Sequence, residues 1–188
     1  MRGPAVSDRA LVQRLARLRV TLGFVFGALV LWLAEPTGAT LAAGTVIAAL
    51  GEALRVWAAG HLNKAREVTA SGPYRWLAHP LYVGSSIMGV GLAVVSASLL
   101  VFGLIAAYLA ITLTAAIKSE EAFLRGRFGE RYEEYRNGSR IESAQRFSLA
   151  QAMANHEYRA LSGLCLAVLL LALKATYNGT FWRAGSHL

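Results

Sequence analysis

The sequence predicts an all-α fold, a polytopic membrane bundle of about five transmembrane helices with interfacial helices on the cytosolic side. Of the 188 residues, 55% are hydrophobic and 16% are charged, which is too apolar for a soluble domain of this length. The window 81–117 contains no Asp, Glu, Lys, Arg or His. Because ~20 apolar residues cross a bilayer once, this longer window predicts a helical hairpin. We treat residues 1–188 as a single membrane domain with a motif-bearing core at about 60–140.

Apolar runs place the five spans at about 18–34, 40–60, 81–95, 99–117 and 158–176. Glu35-Pro36 separates the first two spans. Pro80 suits the first turn of a helix, where its missing N–H costs nothing, so the third span begins there. His79 then lies at or near the N-cap, beside the free backbone N–H groups of the helix end.

The basic residues predict the orientation of the bundle. Five arginines lie within residues 2–19, three Lys or Arg residues lie in 61–80, and eight lie in 118–159, whereas 35–39 and 96–98 contain none. With five spans, every basic segment falls on one side, which predicts a cytosolic N-terminus and cytosolic motif loops. The net charge of +8 therefore indicates topology and contact with lipid headgroups, and no nucleic-acid partner is expected.

Two polar clusters flank the predicted hairpin. The first, 72–84, combines the Gly72-Pro73 turn with His79-Pro80, and small residues from Gly84 onwards let a neighbouring helix or a cofactor approach closely. The second begins with Glu120 and Glu121 at the mouth of the fourth span, where a carboxylate is costly unless it is paired or used. An alternative reading is structural, with an aromatic belt in the first cluster and a helix-end acidic pair neutralised by Lys118 and Arg125 in the second.

Beyond Glu121 the fourth span is predicted to continue as an amphipathic stretch on the membrane surface, interrupted near Gly129. The apolar positions at helical spacing are Leu124, Phe128, Tyr132 and Tyr135. Within the other spans, Glu52 with Arg55 and Glu157 with Arg159 are interpreted as structural pairs.

Taken together, the two clusters resemble the integral-membrane methyltransferases of the isoprenylcysteine carboxyl methyltransferase and phospholipid methyltransferase group. The matching residues are Gly72-Pro73-Tyr74, His79-Pro80-Leu81-Tyr82-Val83-Gly84, Glu120-Glu121, Leu124, Phe128-Gly129, Tyr132 and Tyr135. The resemblance covers about 60–140 of the chain. It implies S-adenosylmethionine as the methyl donor and a lipophilic, membrane-embedded acceptor that carries a carboxylate or an amine.

By the same resemblance, the cofactor contacts are Val68, Thr69, Tyr74, His79, Pro80, Leu81, Tyr82 and Glu120. Methyl transfer to a carboxylate needs no base, whereas an ammonium must first lose a proton, so Glu121 and His79 are the candidate catalytic residues. The displacement at an activated methyl carbon needs no metal, and none is predicted.

Two positions depart from the family pattern. Ala78 stands where many members have Arg before the His-Pro pair, and Ala116 stands where the eukaryotic isoprenylcysteine enzymes carry a substrate-binding Arg. Lys118 is two residues away from the second position and projects from another face of the helix. These departures disfavour an isoprenylcysteine carboxylate as the acceptor.

Two other functions stay open from the sequence. One is a nicotinamide-dependent membrane reductase of the steroid-reductase type, which would use a similar helical bundle. The other is a non-enzymatic transporter or scaffold, for which the uncharged window 81–117 offers little support. The small-residue helix faces would also permit a homo-oligomer.

Overall fold

The computed structural model describes residues 23–63, 67–137 and 146–182, and these residues form helices and connecting loops without a strand. The helices in chain order are α1 (Gly23–Leu33), α2 (Gly38–His61), a 3₁₀ helix (Gly72–Arg75), α3 (Pro80–Ser96), α4 (Leu99–Phe128), α5 (Glu130–Arg136), α6 (Leu149–Ala154) and α7 (Tyr158–Tyr177). The predicted helical fold is confirmed. Residues 18–22 of the first predicted span lie outside the described residues.

Helices α2, α4 and α7 are long and apolar enough to cross a membrane, whereas α3 has 17 residues and α1 is shorter still. Large apolar side chains on these helices are widely exposed, as at Trp32, Ile111 and Leu173. An apolar surface of this extent is the one that lipid covers. The molecule is therefore a polytopic membrane bundle.

The ends of the five apolar helices gather at two poles. At one pole, Glu35 N–H donates to the Ser96 carbonyl at 2.7 Å, and Lys174 Nζ donates to the Leu31 and Trp32 carbonyls at the end of α1. The opposite pole holds the end of α2, the start of α3, the end of α4 and the start of α7. We call this second pole the polar end, because both polar clusters lie there.

Helices α2 and α3 form the closest pair, and glycines on their facing surfaces allow the contact. A Cβ on Gly84 would lie 2.7 Å from the Gly51 carbonyl oxygen, and one on Gly51 would lie 2.6 Å from the Gly84 carbonyl oxygen. Gly44 and Gly91 repeat this arrangement two turns away. The face of α3 at Gly84, which was predicted to lack large side chains, therefore packs directly against α2. Small residues allow such close helix packing in membrane bundles.

Helix α6 caps the end of α2 at the polar end. Gln151 Nε2 donates to the Leu62 carbonyl at 3.0 Å, and Asn155 Nδ2 donates to the Ala59 and Leu62 carbonyls at 2.8 Å. These side chains satisfy carbonyls that a helix C-terminus leaves without intrahelical partners. They also hold the loop that begins at Leu62.

Candidate functional site

The site is assembled where α3 begins and α4 ends. Pro80 is the first residue of α3 and His79 is its N-cap, as the sequence predicted. The antiparallel course of α3 and α4 brings Glu120 and Glu121 of α4 to this point. His79 Nδ1 lies 3.7 Å from Glu120 Oε2, and His79 Nε2 lies 3.4 Å from Glu121 Oε1. One imidazole thus bridges two adjacent carboxylates that follow His79 in the sequence by 41 and 42 residues.

The Glu120 carboxylate, followed by Glu121, raises the pKa of His79 above its ordinary value, although burial opposes the shift. The imidazole is therefore biased towards its protonated form, in which both ring nitrogens donate. Glu121 is held further by Arg136 Nη1 at 3.1 Å and by Arg125 Nη2 at 3.5 Å. The structural alternative named Lys118 and Arg125 as the neutralising residues; Arg125 contacts Glu121, and Arg136 of α5 joins it.

A cavity of about 880 Å³ opens beside this cluster. Of the predicted site residues, it is lined by Val68, Thr69, Tyr74, Tyr82 and Glu120. A volume in the range of about 300–1,000 Å³ is usual for small-molecule sites. The two distant sequence clusters therefore form one concave site.

The remaining predicted residues lie behind the cavity wall. His79 and Glu121 do not line the cavity; His79 contacts Glu120, which lines it, and Glu121 contacts His79. Pro80 is fully buried, and the Leu81 carbonyl accepts hydrogen bonds from Ser85 Oγ at 2.9 Å and Arg55 Nη1 at 3.4 Å. Pro80 and Leu81 therefore shape the first turn of α3 and do not line the cavity.

Tyrosines surround the Glu120 carboxylate. Tyr82 forms a side-chain hydrogen bond with Glu120. Tyr74 is buried in the cavity wall, and its burial, together with the charge of Glu120, raises its pKa. Tyr74 is therefore a neutral hydrogen-bonding group near neutral pH.

Helix α5 closes one side of the cavity. Gly129 breaks α4 at a φ of 51°, a conformation that suits glycine, and the chain turns back over the site. Tyr135 Oη then donates to the Tyr74 carbonyl at 2.8 Å and to the Leu77 carbonyl at 3.4 Å. Burial raises the pKa of Tyr135 to about 12. The predicted interruption at Gly129 is confirmed.

Several lining residues were not among the predicted contacts. Asn63, Glu67, Ser119 and Ala116 line the cavity together with Tyr132, which is 2% exposed. The sequence could have indicated Tyr132, because it lies at helical spacing with the apolar residues beyond Glu121. Asn63 and Glu67 lie in a loop without a recognisable motif, so no pattern in the sequence indicated them. Within the described ranges, no group of three His, Cys, Asp or Glu residues is arranged to hold a metal ion.

Apolar helices, with a largely apolar cavity that carries a few polar side chains at one end of the bundle, define an integral membrane protein with a candidate small-molecule site. The phospholipid methyltransferase family matches residues 22–131, more than half of the chain, and the chain belongs to this family of membrane methyltransferases. Membership favours methyl transfer over the reductase and transporter alternatives. No solved structure gives a significant match.

Two curated bacterial proteins are similar to part of the chain. The nickel-cobalt-cadmium resistance protein NccN of Alcaligenes xylosoxydans xylosoxydans is 33% identical over 89 residues, which cover 46% of this chain and 40% of the relative. The cobalt-zinc-cadmium resistance protein CzcN of Cupriavidus metallidurans is 34% identical over 89 residues, with the same two coverages. The chain thus spans less than half the length of these relatives.

Proposed function

We propose that this protein transfers a methyl group from S-adenosylmethionine to a lipophilic acceptor, a carboxylate or an amine, at the cytosolic face of the membrane. The observation that carries the proposal is the cavity at the polar end, with the Glu120 carboxylate in its wall and His79 behind it. Bound S-adenosylmethionine would supply a methyl group already activated by the adjoining sulfonium, so the protein's task is chiefly to position the reactants.

The lining residues fit such a cofactor chemically. Glu120 offers a negative charge to a cation, and the rings of Tyr74 and Tyr132 add apolar and cation–π surface. Asn63 and Thr69 offer polar atoms from the loop held by α6. Together they provide the mixture of one charge, a few polar groups and aromatic surface that a charged nucleoside requires.

The α4 side of the cavity supports an acceptor that arrives from the lipid. It is lined by Ile111, Thr112 and Ala115, which lie within the apolar part of that helix. Ala78 and Ala116 also line the cavity, at the two positions where related enzymes carry arginine. A carboxylate acceptor would therefore find alanine methyl groups in place of arginine guanidinium groups at these positions. This favours an amine acceptor, or an acid whose carboxylate is bound by other residues.

His79 and Glu121 remain candidate proton-transfer residues. Their geometry supports a positioning role more directly, because a protonated His79 holds both carboxylates and Arg136 holds Glu121 from outside. With an amine acceptor, Glu120 is the carboxylate best placed to receive the proton that the ammonium must lose.

Calorimetry with S-adenosylmethionine on the purified protein in detergent tests the proposal. Glu120→Gln removes the charge without changing the shape, and we expect binding to weaken by about 10- to 100-fold, the cost of losing a charged hydrogen bond. Glu130→Gln, an exposed site on α5, is the matched control and should bind like the wild type. Absence of binding to folded wild-type protein would refute the methyltransferase mechanism proposed here.

A further inference from the structure

A second cavity lies between α2 and α7, with no lining residue in common with the site cavity. It is a groove of about 1,000 Å³, bounded by Thr45, Glu52 and Trp57 on α2 and by Leu161, Cys165 and Ala172 on α7. From Thr45 to Trp57 the groove follows α2 for about 18 Å, given the rise of an α-helix. Nearly all of its walls are apolar, and Glu52 lies between the two ends.

Glu52 is 3% exposed, and neither of its carboxylate oxygens accepts a well-formed hydrogen bond from the described residues. The nearby cation is Arg55, whose Nε lies 3.4 Å from Glu52 Oε2. The same Nε lies closer to Glu157 Oε1, at 2.7 Å, although neither of these two atoms forms a well-aligned hydrogen bond within the described residues. The buried cluster thus pairs one guanidinium with two carboxyl groups.

The guanidinium is engaged on its other side as well. Arg55 Nη1 donates to Ser85 Oγ and to the Leu81 carbonyl, which fixes it against α3. Arg55 therefore cannot turn towards Glu52 without giving up contacts with α3 and Glu157. A carboxylate in an apolar groove with no complete partner is costly within a bilayer, and a ligand that brings a positive charge and N–H donors would remove that cost.

We propose that this groove binds a membrane-dissolved aliphatic primary amine, with the ammonium on Glu52 and the alkyl chain along the apolar face of α7. Charge complementarity selects the ammonium, since two carboxyl groups share one guanidinium. The length of apolar wall on either side of Glu52 accommodates the chain. No residue lines both this groove and the cavity at the polar end, and Arg55 connects the two through its hydrogen bond to the Leu81 carbonyl.

Cys165 provides a direct readout, since it is the single cysteine of the chain, is exposed and lines the groove. The experiment measures the rate at which a neutral methanethiosulfonate reagent modifies Cys165 in the full-length protein in detergent. We expect decylamine to slow the modification at least fivefold, and decanol, which has the same chain length without the charge, to have little effect. Equal protection by decanol would overturn the proposal, because the groove would then be only an apolar slot.

Two variants separate binding at Glu52 from general effects on the micelle. Glu52→Gln should abolish the protection by decylamine, and Ala49→Phe should abolish it by filling the groove while leaving the charged cluster intact. Leu50→Phe places the same phenyl ring on the exposed side of α2, outside the groove, and should retain the protection. Protection that persists in Glu52→Gln or in Ala49→Phe would refute the proposed site.

Discussion

At the scale of single residues, His79 links the two halves of the site. It ends the loop that precedes α3 and contacts two carboxylates at the end of α4. A residue with this placement determines how Glu120 faces the cavity, whether or not it moves a proton. Its charge is therefore the property to test.

The raised pKa of His79 makes a signed prediction about pH. A group whose folded pKa is raised contributes stability that is fully present below its unfolded pKa and is lost as pH rises through the folded pKa. We therefore expect the wild type to lose thermal stability as pH rises through that window, and His79→Gln to lose less over the same range. His156→Gln removes an exposed imidazole outside the site and is the control for the loss of a histidine as such. Parallel profiles for His79→Gln and the wild type would contradict the prediction.

At the scale of helices, α5 is held over the cavity by the hydroxyl of Tyr135. The helix has only seven residues, so its position depends on tertiary contacts more than on its own stability. Tyr135 ties it to the backbone at Tyr74 and Leu77. Helix α5 is thus anchored to the loop that carries the first polar cluster.

Tyr135→Phe should loosen α5 without unfolding the bundle. Loss of one hydrogen bond of this kind costs about 0.5–1.5 kcal/mol, so we expect faster amide hydrogen exchange in 130–136 and 72–77. Tyr158→Phe at the start of α7 removes a partly exposed hydroxyl elsewhere and serves as the control. If the Tyr135→Phe variant shows unchanged amide hydrogen exchange in α5, other contacts hold this helix in place and the prediction is wrong.

The glycine contact between α2 and α3 gives a second prediction at this scale. Gly84→Val would place a side chain against the backbone of Gly51, and overpacking of this kind costs about 1–3 kcal/mol. The control is Gly103→Val, because a Cβ at Gly103 meets no atom within 4 Å. We expect a lower melting temperature in detergent for Gly84→Val only. Equal melting temperatures for the two variants would contradict the close packing described here.

At the scale of the whole molecule, the Lys and Arg residues that the structure describes between the end of α2 and the start of α7 lie at the polar end, whereas Lys174, in the last turn of α7, lies at the opposite pole. The turn at 34–37 and the turn at 97–98 lie at the opposite pole and contain neither residue. This segregation supports the predicted cytosolic placement of the site, since basic loops remain on the cytosolic side.

Cysteine labelling in oriented membrane vesicles tests this topology. In a Cys165→Ser background, Asn63→Cys and Asn137→Cys should react with an impermeant reagent applied from the cytosolic side. Leu99→Cys, an exposed position at the opposite pole, should react from the other side and serves as the internal control. Labelling of Asn63→Cys and Asn137→Cys from opposite sides would disprove the arrangement.

Local chemistry explains which features the sequence could predict. The apolar runs locate the helices, because lipid requires continuous apolar stretches, and Pro80 and Gly129 locate a helix start and a helix break through their backbone preferences. The polar residues that flank the uncharged window located both clusters, and the family resemblance then suggested their roles. Glu52 and Arg55 pair as their helical spacing indicated, whereas Glu157 pairs with Arg55 of α2 in place of the expected Arg159.

The sequence by itself therefore determined the membrane class, the helices and the residues worth attention, since hydropathy and backbone propensity act over a few neighbouring positions. Only the tertiary structure decided which partners these residues have. Tyr135 reaches a carbonyl 61 residues away, and the imidazole of His79 lies between two carboxylates of another helix. Such contacts depend on how the helices pack around one another, and a single sequence contains no local signal for the relative rotation of two helices.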